Sequence, residues 1–204
     1  MRALIVNEWM TLDGVVQAPG QPDEDRSGGF QHGGWHMPYF HDLSRNWVVE
    51  GYAEAGGFLF GRRTYELLAS YWPHASEEEQ VIAEPLNTLP KYVASTTLTE
   101  PLEWEHATLL TGDVAEAVAA LKGEDGKALH VIGSAQLVHT LIEHDLVDQL
   151  RLMVYPVVAG AGKRLFEEIS DTKQLRLVRT RTVGDNLASL TYDLVGAACW
   201  PRWS

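Results

Sequence analysis

The chain has 204 residues, 45% hydrophobic and 22% charged, the balance of an ordinary globular protein with one sizeable core. Its formal net charge of −12, from 16 basic and 28 acidic residues, excludes a general nucleic-acid or acidic-membrane binder, because attraction to phosphate needs a basic surface. The single cysteine, Cys199, excludes a disulfide framework and a cysteine-based zinc site, and it points to a reducing cytoplasm.

"RALIVNEW" predicts a first strand, ended by the polar "TLDG". The apolar run is too short for a signal peptide, and no later stretch approaches the ~20 apolar residues of a membrane span. Residues 17–38 are rich in Gly, Pro and Asp and read as a long irregular loop, of the kind that is functional or mobile in compact domains. "LSRNWVVEGYAEA" predicts a helix with Ser44 as N-cap. Glu50 and Glu54, spaced i, i+4, read as its solvated face. "GFLFG" is a buried strand, and "RTYELLASYW" is a helix that stops near Pro73.

"KYVAST" and "ATLLTGD" predict short strands. "VAEAVAALKG" is a helix with Asp113 as N-cap and Gly123 past its end. "ALHVIGS" is a strand broken at Gly133, "AQLVHTLIEHDL" a helix, and "VDQLRLMVYPVV" a long strand. "LRLVRTRTV" and "NLASLTYDL" alternate apolar and polar residues around "GDN", a hairpin signal. The expected fold class is α/β, with a mainly parallel sheet, helices on both faces and antiparallel C-terminal strands. The expected domain spans residues 1–195, with a tail at 196–204. In that tail Trp200 and Trp203 pack on the body or on a partner, or fray.

Three strand ends share a pattern: "FLFG" runs into "RRTYE", "YVAS" into "TTL", and "HVIG" into "SAQL". Ligands of open α/β sheets bind beyond the carboxyl ends of the strands. Small residues there admit a ligand to the backbone, and helix N-termini favour anions. Arg62 and Arg63 add forked donors suited to phosphate; Ser95, Thr96 and Thr97 add hydroxyls. The pattern suggests a cleft for a phosphorylated ligand of dinucleotide size, against the alternative of three tight connections.

In order and spacing, "LDG", "GRRTYE", "YVASTTL", "VIGSAQLVHTLIEHDLVDQL" and "YPVVAGAGKRLF" resemble the dihydrofolate reductase-like superfamily. The similarity is to stand-alone relatives of the reductase domain of the bifunctional riboflavin-biosynthesis deaminase/reductase, over residues 2–195. The resemblance implies NADPH as cofactor and a small heterocyclic, pyrimidine- or pterin-like substrate, as for 5-amino-6-(5-phosphoribosylamino)uracil reductase. It puts Gly61, Arg62, Arg63 and Thr64 on the cofactor phosphates. Ser95, Thr96 and Thr97 take the 2′-phosphate or adenosine side. Gly133, Ser134, Ala135, Gln136 and Leu137 lie near the pyrophosphate and nicotinamide. The family more often has Gly-Gly at 133–134, so Ser134 is a departure that bears on the cofactor pose. The resemblance also implies a homodimer.

Hydride transfer needs a proton donor as well. Asp13 is the first candidate, as a carboxyl with a raised pKa beside the substrate; the alternative is a turn cap with Gly14. No acid matches that of the folate reductases. Lys163 and Arg164 offer a cationic pocket for a substrate phosphate, or an outward-facing turn. "GAGKR" is not a P-loop, since Val157 stands where a Gly is required, and the zinc deaminase signature is absent. His32, His36 and His41 lie in a segment too Gly-rich for a helical metal pair. They read as packing, with Phe30, Trp35, Tyr39 and Phe40 forming a lid or core contacts. His139 and His144 read as structural or exposed. A reading from another class is an NADPH-binding sensor without turnover.

Overall fold

The computed structural model describes residues 1–167 and 170–197, so Cys199, Trp200 and Trp203 lie outside the described residues. In chain order the elements are β1 (Leu4–Thr11), α1 (Asp42–Ala53), β2 (Ala55–Gly61), α2 (Arg62–Tyr71), α3 (Gln80–Thr88), β3 (Lys91–Ala94), β4 (Ala107–Leu110), α4 (Val114–Gly123), β5 (Ala128–Ile132), α5 (Ala135–Glu143), β6 (Gln149–Tyr155), β7 (Lys173–Val183) and β8 (Leu187–Ala197). The strands pair into one sheet in the order β4-β3-β2-β5-β1-β6-β8-β7. β1 to β6 are parallel; β8 is antiparallel to both β6 and β7.

β2 shows why its apolar run has no polar alternation. Phe58, Leu59 and Phe60 are all fully buried, because both faces of the sheet are covered. Phe58 and Phe60 pack with Val48 of α1, Tyr65 of α2, and Ile82 and Leu86 of α3. Leu59 packs on the other face with Val118 of α4 and Val138 and Leu141 of α5. The two helical layers therefore sort by crossover. α1 carries the chain from β1 leftward past β5 to β2, and α5 carries it from β5 rightward past β1 to β6. Right-handed connections running in opposite directions put α1 and α5 on opposite faces.

Two local expectations need correction. The N-cap of α1 is His41, not Ser44. The His41 ring accepts from the Ser44 N–H at 3.3 Å, while the Ser44 hydroxyl accepts from the His41 N–H at 2.9 Å, so Ser44 is the inner half of a reciprocal capping box. α3 had no counterpart in the sequence reading. Pro85 lies inside it, where a proline ordinarily breaks a helix, but a capping box at Ser76 and Glu79 launches the chain into it.

α3 is closed by a buried cation. Lys91 is fully buried on β3, and its ammonium donates to the carbonyls of Leu86 (2.8 Å), Asn87 (3.1 Å) and Leu89 (3.0 Å), 4.8 Å from the Trp104 ring. Burial lowers its pKa from 10.5 to about 8, so the ammonium persists at neutral pH. Lys91→Met would leave these carbonyls without their donor. It is expected to cost about 3 kcal/mol at pH 7 in urea unfolding; a loss below ~0.5 kcal/mol would show that the cation does not close the helix.

Candidate functional site

The carboxyl ends of β3, β2, β5 and β1 lie side by side, and the turns that follow them carry the residues singled out in the sequence. Ser95–Thr97 follow β3, Gly61–Thr64 end β2 and begin α2, Gly133–Leu137 link β5 to α5, and Asp13 lies just past β1. The crossovers from β1 and β5 leave in opposite directions, so the crevice between these strands is the topological switch point, where open sheets of this kind bind ligands.

The β2 and β5 junctions are joined by one hydroxyl. Ser134 Oγ accepts from the Gly61 N–H at 2.9 Å and donates to Thr64 Oγ1 at 2.8 Å. Ser134 is held in the left-handed region (φ 65°, ψ 47°), a conformation that explains why a glycine suits this position. Here the strain, on the order of 1 kcal/mol, is offset by the bridging hydroxyl. Gly133 is also left-handed (φ 58°), and a Cβ on it would stand 3.3 Å from Thr64 Oγ1, so a side chain there would crowd α2. Neither Gly61 nor Ser134 caps the helix it precedes with its side chain. The starts of two helices thus lie at neighbouring strand ends, an arrangement that suits a diphosphate.

The other singled-out side chains divide. Arg62 is held by Glu66 at 3.0 Å along α2, and Arg63 reaches the long loop, at 3.2 Å from Ser27 Oγ and 3.6 Å from Asp25. Ser95 Oγ accepts from the N–H groups of Thr97 (3.1 Å) and Leu98 (3.0 Å), so it shapes its own turn, while Thr96 and Thr97 are exposed. Ala135 and Gln136 stand at the start of α5, Gln136 exposed. Leu137 departs from expectation. Its side chain is buried in the core beneath α5, and only its backbone belongs to the junction. Glu50 and Glu54 are more than half exposed, yet they are not merely solvated: each pairs with an arginine of the sheet.

Asp13 reverses its expected electrostatics. Oδ1 accepts from the Thr11 hydroxyl (2.7 Å) and the Ala159 N–H (3.0 Å), and Oδ2 from the Gly160 N–H (2.8 Å). The Thr11 bond, with the two backbone donors, lowers its pKa from 3.8 to about 2. An ionised Asp13 ties β1 to the loop after β6 and has no proton to give at neutral pH. Arg164 lies 3.7 Å from it and donates to its carbonyl. Lys163 pairs with Asp25 at 2.5 Å. Both cations are therefore committed within the chain.

The loop over 17–41 is folded down. Gln17, buried, donates to the Asp25 and Ser27 carbonyls (3.0 Å each) and accepts from the Lys163 N–H (3.0 Å), while its own carbonyl accepts from Trp35 Nε1 (2.8 Å). Phe30 and Trp35 join the core against Tyr155. His36 stacks on Trp9 at 4.3 Å, Phe40 meets the same ring edge-on, His32 stands edge-on to Phe30, and His41 caps α1. His139 Nε2 lies 2.8 Å from the Leu165 carbonyl.

One acid escaped the sequence reading. Glu8 interrupts an apolar strand, and the register that pairs Asn7 with Ile132 sets Glu8 beside Gly133, on the face covered by α5. It is buried, Oε1 has no hydrogen-bond partner among the described residues, and burial raises its pKa from 4.5 to about 8. A lone acid within "LIVNEWM" was the available signal.

The RibD C-terminal domain family model matches residues 2–189. The uncharacterized protein YyaP of Bacillus subtilis (strain 168) is 32% identical over 140 residues, 68% of this chain and 73% of the relative. Among solved structures, a Shewanella sp. PV-4 protein provisionally described as a riboflavin biosynthesis protein matches with TM-score 0.68 at 23% identity, over 94% of this chain and 98% of that one. A Thermotoga maritima diaminohydroxyphosphoribosylaminopyrimidine deaminase/5-amino-6-(5-phosphoribosylamino)uracil reductase matches with TM-score 0.62 at 14% identity, over 95% of this chain and 56% of that one. At these identities the structures establish the fold.

Both carboxyls give pH-dependent expectations. The stability Asp13 contributes is present above pH 3.8 and lost as pH falls toward 2. Asp13→Asn should cost about 2 kcal/mol at pH 7, with the gap to wild type closing in acid; a constant gap would assign the loss to packing. Glu8 has the opposite sign. Its raised pKa gives stability below pH 4.5 that is lost as pH rises to about 8, at most on the order of 5 kcal/mol. Glu8→Gln should flatten urea-derived stability between pH 5 and 8 and exceed wild type at pH 8. An unchanged slope would mean another group titrates.

Proposed function

The chain belongs to the RibD C-terminal domain family, and on that premise we propose that it is an NADPH-dependent reductase of a small heterocyclic, pyrimidine- or pterin-like substrate. The observation that carries this reading is the closure of the β2 and β5 junctions by Ser134, with two uncapped helix starts presented at the switch point. When bound, NADPH supplies a hydride. The residues that would hold it are the α2 start with Arg62, Arg63 and Thr64 for phosphate, Ser95–Thr97 for the adenosine side, and Gly133–Gln136 with the backbone of Leu137 for the pyrophosphate and nicotinamide. The carboxyl that holds a proton at neutral pH beside this junction is Glu8, while Asp13 positions the loop after β6.

The second reading, an NADPH-binding sensor without turnover, draws on the same ionised, fully engaged Asp13. The homodimer in this proposal draws on β7, where Leu175 and Leu177 are exposed. Among the described residues no helix is long and apolar enough to cross a membrane, and the proposal takes the reductase to be cytoplasmic.

Tryptophan fluorescence tests the cofactor. Titration with NADPH should quench emission at lower concentration than NADH. Arg62→Ala should weaken NADPH about tenfold without unfolding the chain, because Arg62 is only partly buried and is paired only along its own helix. Failure of both nucleotides to bind would remove the reductase and sensor readings together.

A further inference from the structure

A second cleft opens on the face that carries α1, and none of the strand-end junction residues lines it. α1 is one wall, β6, β8 and β7 form the floor, and the volume is about 220 Å³. Three arginines reach it from the floor. Arg151 bonds Glu54 and Arg181 bonds Glu50, each at 2.7 Å, which fastens α1 to the sheet. Arg179 enters the same space with no ion pair or side-chain hydrogen bond among the described residues. The lining therefore carries one positive charge in surplus, on a group whose planar fork suits an oxyanion.

Gly51 points the same way. It lies in the last turn of α1, two residues before the helix ends at Ala53, at a position still helical and so less favourable to glycine than to alanine. A Cβ built on it would meet only Asn7 Oδ1, at 3.6 Å, an ordinary contact, so crowding does not demand the glycine. The side chain withheld there leaves room in the cleft. Trp47 supplies a wall of a different kind. Its indole N–H donates to Ser189 Oγ at 2.9 Å, which fixes a flat apolar ring at the edge of a space otherwise rich in charge.

We propose that this cleft is a second ligand site, separate from the strand-end crevice, for a small ring compound that carries an oxyanion. The guanidinium of Arg179 takes the oxyanion, the space beside Gly51 admits the ring, and Trp47 packs on it. Phosphate and carboxylate share this chemistry, and the probes separate them.

The test is isothermal titration of the full chain at low salt with phenyl phosphate, benzoate and inorganic phosphate. One ring probe should bind one per chain and more tightly than inorganic phosphate; which of the two wins identifies the anion. Arg179→Ala should weaken it at least tenfold. Gly51→Ala should raise the melting temperature and weaken the probe several-fold, a pairing that a purely structural glycine would not produce. Saturating NADPH should leave probe binding unchanged. The proposal is overturned if no probe binds, if folded Arg179→Ala binds as wild type does, or if NADPH displaces the probe. The cofactor reading stands or falls separately, on the nucleotide titration.

Discussion

A parallel sheet buried on both faces forces each crossover to choose a side, and the pairing of β1 with β5 is where those choices part. With α1 leaving to one side and α5 to the other, no helix crosses the strand ends between them. The crevice is thus a product of topology before any side chain is considered. The chain then narrows it chemically. β5 stops at Ile132 while β1 continues alongside β6 to Thr11, so one wall of the crevice is taller than the other. Glu8 sits on the tall wall, level with the end of the short one.

The polar groups around this crevice share a division of labour set by solvation. Asp13 has donors on both oxygens and is held ionised; Glu8 has burial alone and is held neutral. They stand only five residues apart in the chain, one on β1 and one just past it, yet their protonation at neutral pH is opposite. Ser134 shows the same economy in backbone terms. A conformation that favours glycine is kept by a residue whose hydroxyl ties two helix starts together.

The strand ends were legible from the sequence because their signals are local: apolar run, small residue, polar turn. α3 was not, since Pro85 masks a helix that depends on a capping box upstream and on Lys91 downstream. The charge state of Asp13 was equally hidden. Its strongest donor, the Thr11 hydroxyl, was two residues away in the sequence, but the donors at Ala159 and Gly160 stand about 146 residues away and approach only through the β1–β6 pairing. The burial of Leu137 was available in principle, because Leu137, Val138, Leu141 and Ile142 form one apolar stripe along α5. The resemblance placed Leu137 in a site; helical periodicity placed its side chain in the core. Glu50 and Glu54 misled for a related reason. A helix face reads as solvated until the strands opposite it, here β6 and β7, are known to carry arginines.

The central position of β1 has a consequence during synthesis. Both of its neighbours, β5 and β6, lie within residues 128–155, so β1 leaves the ribosome long before either partner exists. At roughly 5–20 residues per second, Leu4, Ile5 and Val6 wait many seconds without the strands that cover them. β2, β3 and β4 can associate sooner, but the sheet cannot close around β1 until the chain has passed Tyr155. Such distant pairing makes folding slow and leaves an apolar strand exposed to other chains meanwhile. The acid at position 8, ionised until it is buried, places a charge in that waiting strand.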